Sequence, residues 1–120
     1  MPDMRDTIKN HQDFIVQEDD LNARCAMFFV RARPTKFSDG ARYGLIVTKR
    51  LFRHAVDRNR SKRLLRDWIR FNEKNMHPDL DYIFIARAAI LNATRTDGRV
   101  AMRKALGYIK KLYADKKTEK

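Results

Sequence analysis

Positions 58 to 66 read Arg58-Asn59-Arg60-Ser61-Lys62-Arg63-Leu64-Leu65-Arg66, and the chemistry these side chains offer is phosphate contact. In a helix each residue turns by about 100°. Arg58, Lys62, Arg66 and Arg70 then fall four apart on one ridge, Asn59 and Arg63 lie on the ridge beside it, and Leu64, Leu65 and Trp68 point the other way. Like charges at that spacing each cost a free helix about 0.2 to 0.5 kcal/mol, so three turns of them indicate a polyanion against that face. Arginine's planar fork bridges two phosphate oxygens, while lysine acts as a mobile point charge. Asn59 carries no charge and has poor helix propensity. Its amide suits folded RNA, donating to a phosphate or 2′-hydroxyl and accepting from a base; the plainer alternative is that it bonds Arg63 or simply tolerates the helix surface.

A search for catalytic groups returns little. His11, His54 and His77 stand far apart, and none is three or four residues from another histidine or from the cysteine, so a His-rich metal site is not expected. Glu18, Asp19 and Asp20 are adjacent carboxylates that project to different faces of a helix, which reads as a solvated acidic turn rather than a Mg²⁺ site. No nucleophile motif, phosphate-binding glycine loop or paired-carboxylate signature is present. Cys25 is the sole cysteine, so neither an internal disulfide nor a cysteine-based zinc site can form, and it is expected as a small buried hydrophobe beside Met27 and Phe29.

The charge balance sharpens this reading. The chain of 120 residues carries a formal net charge of +12. Nine basic residues face two acidic ones between 49 and 70, and eight face two between 99 and 120, whereas the rest of the chain is close to neutral. Charge gathered in two segments points to nucleic acid or an anionic surface as the partner. A hydrophobic fraction of 43% suits one folded domain over residues 1–120. The first residues lack an apolar signal core, and no stretch approaches the ~18 apolar residues of a membrane span, so a cytoplasmic protein with no membrane partner is expected.

The elements that must position these side chains follow from periodicity. A first helix is expected over residues 7–16. One strand is expected over 22–33, with Met27, Phe29 and Arg31 on one face and Phe28, Val30 and Ala32 on the other. A turn holding Pro34, Ser38, Asp39 and Gly40 leads to a strand over 42–48. The basic connection 49–53 opens a long helix over 55–75, which His77-Pro78 stops. Residues 81–87 are apolar on both faces and read as an interior strand. The last helix starts at Thr96 or Asp97 as N-cap, with Met102, Ala105, Leu106, Ile109, Leu112 and Tyr113 as its core stripe and fraying from about residue 116. Its outer face carries Arg103, Lys104, Lys110 and Lys111. This order makes an α+β sandwich with helices against one face of the sheet. Of the aromatics Phe14, Phe28, Phe29, Tyr43, Tyr82 and Phe84, alternation leaves open which face the core and which are free to stack bases.

The segment from Ala55 to Arg66 resembles the signature of the bacterial ribonuclease P protein component, with an Arg-Asn-Arg followed closely by Lys-Arg and a further Arg. Tyr43-Gly44-Leu45-Ile46-Val47-Thr48-Lys49-Arg50 and Asp81-Tyr82-Ile83-Phe84-Ile85-Ala86-Arg87 are similar to the family's flanking strands. Lys9 to Phe14 and Phe28-Phe29-Val30 fit more loosely.

The resemblance implies a two-layer sandwich on a mixed four-stranded sheet, ordered helix, three strands, helix, strand, helix, with the left-handed crossover shared with a ribosomal-protein domain, against the usual hand. It implies a subunit of a ribonucleoprotein endonuclease that removes the 5′ leader from precursor tRNA. The RNA subunit carries the catalytic centre and requires Mg²⁺, and no cofactor is bound by the protein alone. The partners implied are ribonuclease P RNA and precursor tRNA. By motif position Arg58, Asn59, Arg60, Lys62, Arg63 and Arg66 are assigned to RNA contact, with Lys49 and Arg50 at the edge, and Arg70 joins them from its place on the same basic ridge. Phe14 is assigned to a leader cleft between the first helix and the sheet, and Phe28 and Tyr43 are assigned to the same cleft. The chain departs from the family pattern where Glu18 stands in place of a second aromatic and Gln17-Glu18-Asp19-Asp20 replaces a basic stretch. A ribosomal or other structured-RNA-binding protein shares the charge pattern but not the Arg-Asn-Arg and Lys-Arg cluster. A protein nuclease acting alone would need carboxylates that the sequence does not offer.

Overall fold

Apolar residues in four short segments build one mixed sheet. The computed structural model describes residues 20–34 and 42–118. Strand β1 (Leu21–Arg24) pairs antiparallel with β2 (Phe28–Pro34), and β2 pairs antiparallel with β4 (Leu80–Ala86). Strand β3 (Tyr43–Ile46) lies parallel to β4, giving the order β1-β2-β4-β3. A parallel pair needs a crossover rather than a tight turn, and helix α1 (Ala55–Phe71) supplies it. β4 is interior, as its two apolar faces require.

The single strand expected over 22–33 is instead a hairpin. It breaks at Cys25-Ala26-Met27, where the Cys25 N–H donates to Phe28 O at 2.9 Å and the Met27 N–H to Cys25 Sγ at 3.4 Å. The turn uses sulfur and backbone in place of glycine or proline, so it carries no compositional mark. Cys25 is accordingly half-buried in a turn rather than a core residue.

Register settles the parity of the sheet. Phe28, Val30 and Ala32 stand opposite Ala86, Phe84 and Tyr82, and Tyr43 stands beside Tyr82. All are buried, under Leu65, Trp68 and Ile69 of α1 and Met102, Ala105, Leu106 and Ile109 of α2 (Arg95–Thr118). The rings of Trp68 and Phe28 lie 6.1 Å apart. Residues of the other parity, Phe29, Arg31, Ile83 and Ile85, lie on the opposite face of the sheet.

Helix boundaries differ from the periodicity in three places. Helix α1 stops at Phe71 and passes through Asn72 into a 3-10 turn, Glu73–Asn75. The buried Asn72 amide donates to Trp68 O (2.9 Å) and to Arg99 O (3.1 Å), tying the end of α1 to the start of α2. Helix α2 is capped by Thr94, whose Oγ1 accepts from the Asp97 N–H at 3.1 Å, not by Thr96 or Asp97. It stays helical to Thr118, past the point where fraying is expected. The helix expected over 7–16, which holds Phe14, and the acidic Glu18 and Asp19 that follow it lie outside the described residues.

Candidate nucleic-acid interface

The basic connection and α1 form one surface because a single aromatic anchors the connection. Phe52 is buried between Lys49-Arg50-Leu51 and Arg53-His54, and its N–H donates to Thr48 O at 3.0 Å, closing a turn that leaves Lys49 and Arg50 exposed. Arg58 then reaches back, its Nη1 donating to Phe52 O (2.8 Å) and Arg53 O (3.2 Å). It is half-buried and orders the loop, a role that its place in the basic run did not disclose.

Ser61 explains how the basic run can also be a packed helix. It is fully buried, and its Oγ donates to Asp57 O at 2.9 Å, so the one small residue in the run faces the core. With Leu65, Trp68 and Ile69 it forms the inner stripe. The outward direction is therefore centred on Asn59, Arg63 and Arg70, flanked by Arg60 and Arg66, all exposed. Lys62 joins Arg58 on the half-buried flank. This rotates the working ridge away from the Arg58–Lys62 row. The side chains of Asn59, Arg60, Arg63 and Arg70 make no hydrogen bond or ion pair among the described residues. Asp67, the acid that interrupts the run, is neutralised by Arg99 of α2, whose Nη2 and Nε donate to its carboxylate at 3.2 and 3.3 Å.

The opposite sheet face carries the second candidate surface, with different residues from those expected. Phe28 is 0% and Tyr43 7% exposed, packed against Trp68 and Phe84 respectively. Neither can line a cleft, because their parity places them under the helices. The outward aromatic is Phe29, with the Arg87 guanidinium 4.9 Å from its ring centre. It borders an open groove of about 1010 Å³ together with Arg24, Arg31 and Ile85 of the sheet and Lys104 and Tyr108 of α2. The arginines at 31 and 33 were the available signal, since a strand parity that carries charge is the one facing out. Buried carboxylates on this side are paired: Asp20 accepts from Arg33 Nη2 at 2.9 Å, and Asp81 from the Arg42 N–H and Nη2 at 2.9 and 3.2 Å.

Among the described residues no three His, Cys, Asp or Glu side chains converge where a metal ion could sit. No helix among them is long and apolar enough to cross a membrane.

The ribonuclease P family profile matches residues 4–110. The chain belongs to the ribonuclease P protein family. A relative from Chromobacterium violaceum, a ribonuclease P protein component, is 38% identical over 77 residues, covering 64% of this chain and 62% of the relative. The alignment thus spans a little under two thirds of that relative's length. A second family member, from Lactobacillus delbrueckii subsp. bulgaricus, is 37% identical over 81 residues, covering 67% of each chain. Among solved structures, the Staphylococcus aureus RNase P protein superposes with a TM-score of 0.69 at 26% identity, over 88% of this chain and 94% of that one. The Thermotoga maritima RNase P protein shares the fold, with a TM-score of 0.64 at 20% identity over 75% and 84% of the two chains. The α+β architecture with its mixed four-stranded sheet is the family's fold.

Proposed function

We propose that this chain is the protein subunit of ribonuclease P, docking through α1 on the catalytic RNA while the opposite sheet face receives the single-stranded 5′ leader of precursor tRNA. The observation that carries the reading is the outward face of α1, where Asn59, Arg60, Arg63 and Arg70 are exposed and make no hydrogen bond or ion pair within the described residues. Four such polar groups over about 16 Å of helix, three of them charged, match a phosphate backbone rather than a protein surface. Lys49 and Arg50 extend that face, and Arg66 lies within it. Leader contact falls to Phe29 and Arg31, with Phe14 assigned to the same cleft by the family resemblance alone. The Mg²⁺ that cleavage requires is held by the RNA, and this chain supplies orientation and charge. The subunit would act in the cytoplasm, where tRNA precursors are trimmed.

Reconstitution tests the proposal. Added to a bacterial ribonuclease P RNA at Mg²⁺ too low for the RNA alone, the protein should restore 5′ cleavage of precursor tRNA. Binding without rescue would make the chain a structured-RNA binder outside the reaction. Cleavage by the protein with no RNA subunit would overturn the reading altogether.

A further inference from the structure

The outer surface of α1 holds an exposed aromatic that phosphate contact does not use. Phe71, the last residue of the helix, is 57% exposed. It lies eight residues beyond Arg63, hence about 12 Å further along the axis and within a quarter turn of it, and directly follows Arg70. One face of its ring is covered by the Arg99 guanidinium, 4.2 Å from the ring centre. Arg99 does not wander, because Asp67 holds it at 3.2 and 3.3 Å and the Asn72 amide fixes its backbone carbonyl at 3.1 Å. The result is a rigid flat surface backed by a cation, with its free side toward solvent and unpartnered arginines beside it.

We infer that Phe71, backed by Arg99, stacks an unpaired nucleobase of the RNA that docks on α1. The inference deepens the proposed function and rests on it. Three observations select this occupant. The neighbouring Arg63 and Arg70 call for phosphate, which excludes an apolar protein partner at the same spot. Aromatic stacking takes any base, because every base has a flat π face, and needs only that the base be unpaired. The leader is excluded because Phe71 sits on the helical layer, with the sheet between it and the Phe29 face.

The test compares Phe71→Ala, Phe71→Leu and Phe71→Tyr in equilibrium binding to a bacterial ribonuclease P RNA over a salt series, with thermal melts of each free protein. Phe71→Ala and Phe71→Leu should each weaken binding about tenfold or more, whereas Phe71→Tyr should bind within about twofold of the unaltered chain. The salt slope should not move, since no phosphate contact is lost. Wild-type affinity in Phe71→Leu overturns the inference while leaving the proposed function intact. Weakening that tracks a lowered melting temperature overturns it too, by making the Arg99 contact purely structural. So does concentration-dependent dimerisation of the unaltered protein that Phe71→Ala abolishes, which would assign the ring to a second copy of the chain. Failure of the unaltered chain to bind the RNA removes both proposals.

Discussion

Gly98→Ala is a single-methyl change that should test how α1 is held on α2. A Cβ at residue 98 would lie 1.9 Å from Trp68 Cε2, 2.1 Å from Cζ2 and 2.5 Å from Cδ2. Ordinary van der Waals contact begins near 3.4 Å, so the indole must retreat by about 1.5 Å. It has nowhere to go: Trp68 is 0% exposed and its ring packs on Phe28, itself 0% exposed. Overpacking of this kind costs about 3 kcal/mol, against which alanine's better helix propensity returns about 1 kcal/mol. The net loss is about 2 kcal/mol, or a melting temperature lower by roughly 10 °C for a domain of this size. The partner change Trp68→Leu should be destabilising on its own by about 2 kcal/mol. The cavity it leaves is offset in part by removal of an Nε1–H that finds no acceptor among the described residues. In that background the added methyl fills space, and Gly98→Ala should turn neutral or stabilising, a coupling of about 2 to 3 kcal/mol. Urea unfolding of the four proteins, followed by far-ultraviolet circular dichroism, measures it. An equal cost for Gly98→Ala in both backgrounds would refute the argument from contact.

Two further outcomes separate binding from folding. Arg60→Ala and Arg63→Ala should each flatten the salt dependence of RNA binding by about 0.7 to 0.9 in the log–log slope at unchanged stability, whereas Arg58→Ala should lower stability by about 1 kcal/mol through its lost bonds to Phe52 and Arg53, with the smaller change in slope; identical behaviour of all three would dissolve the distinction drawn between them. Burial pushes the Tyr82 phenol up to about 12, opposed by the His77 N–H that donates to its oxygen at 2.8 Å. The unfolded chain releases this proton near pH 10 while the folded chain keeps it, so stability present below pH 10 is lost as pH rises toward 12, by about 2 to 3 kcal/mol. Urea midpoints should fall more steeply over that window in the unaltered protein than in Tyr82→Phe, and parallel profiles would contradict the assignment.

What the sequence disclosed, and what it withheld, follows from the range of each interaction. Strand β4 was legible because both of its faces are apolar, a property of its own residues. The two parity sets of β2 were legible for the same reason, but not which set lies under the helices, since alternation defines faces without naming the side. Phe28 and Tyr43 were misassigned on that point. Arginines at 31 and 33 would have decided it, because a strand face that meets two helices does not carry two charges. The hairpin at Cys25-Ala26-Met27 had no signal to read: its turn is closed by a cysteine sulfur and by Arg87, whose N–H and Nη1 donate to Met27 O (3.0 Å) and Cys25 O (3.1 Å) from 60 or more residues away. The end of α1 at Phe71 likewise depends on Asn72 reaching Arg99 across the helix pair.

The basic run shows how one segment meets two demands. Every third or fourth residue of a helix on a sheet must be apolar or small, and Ser61, Leu65, Trp68 and Ile69 meet that requirement. Arg58 is spent on the loop that Phe52 anchors. What remains for the proposed RNA contact is the set that folding does not use, Asn59, Arg60, Arg63 and Arg70, and these lie together because the inner stripe forces them to one side. Read by charge alone, the run is a generic polyanion-binding helix; read by partnership, it is a narrower face whose centre is Asn59 and Arg63. That shift makes a prediction the charge count cannot make: removing Arg58 and removing Arg63 alter net charge equally and should differ in which quantity they move.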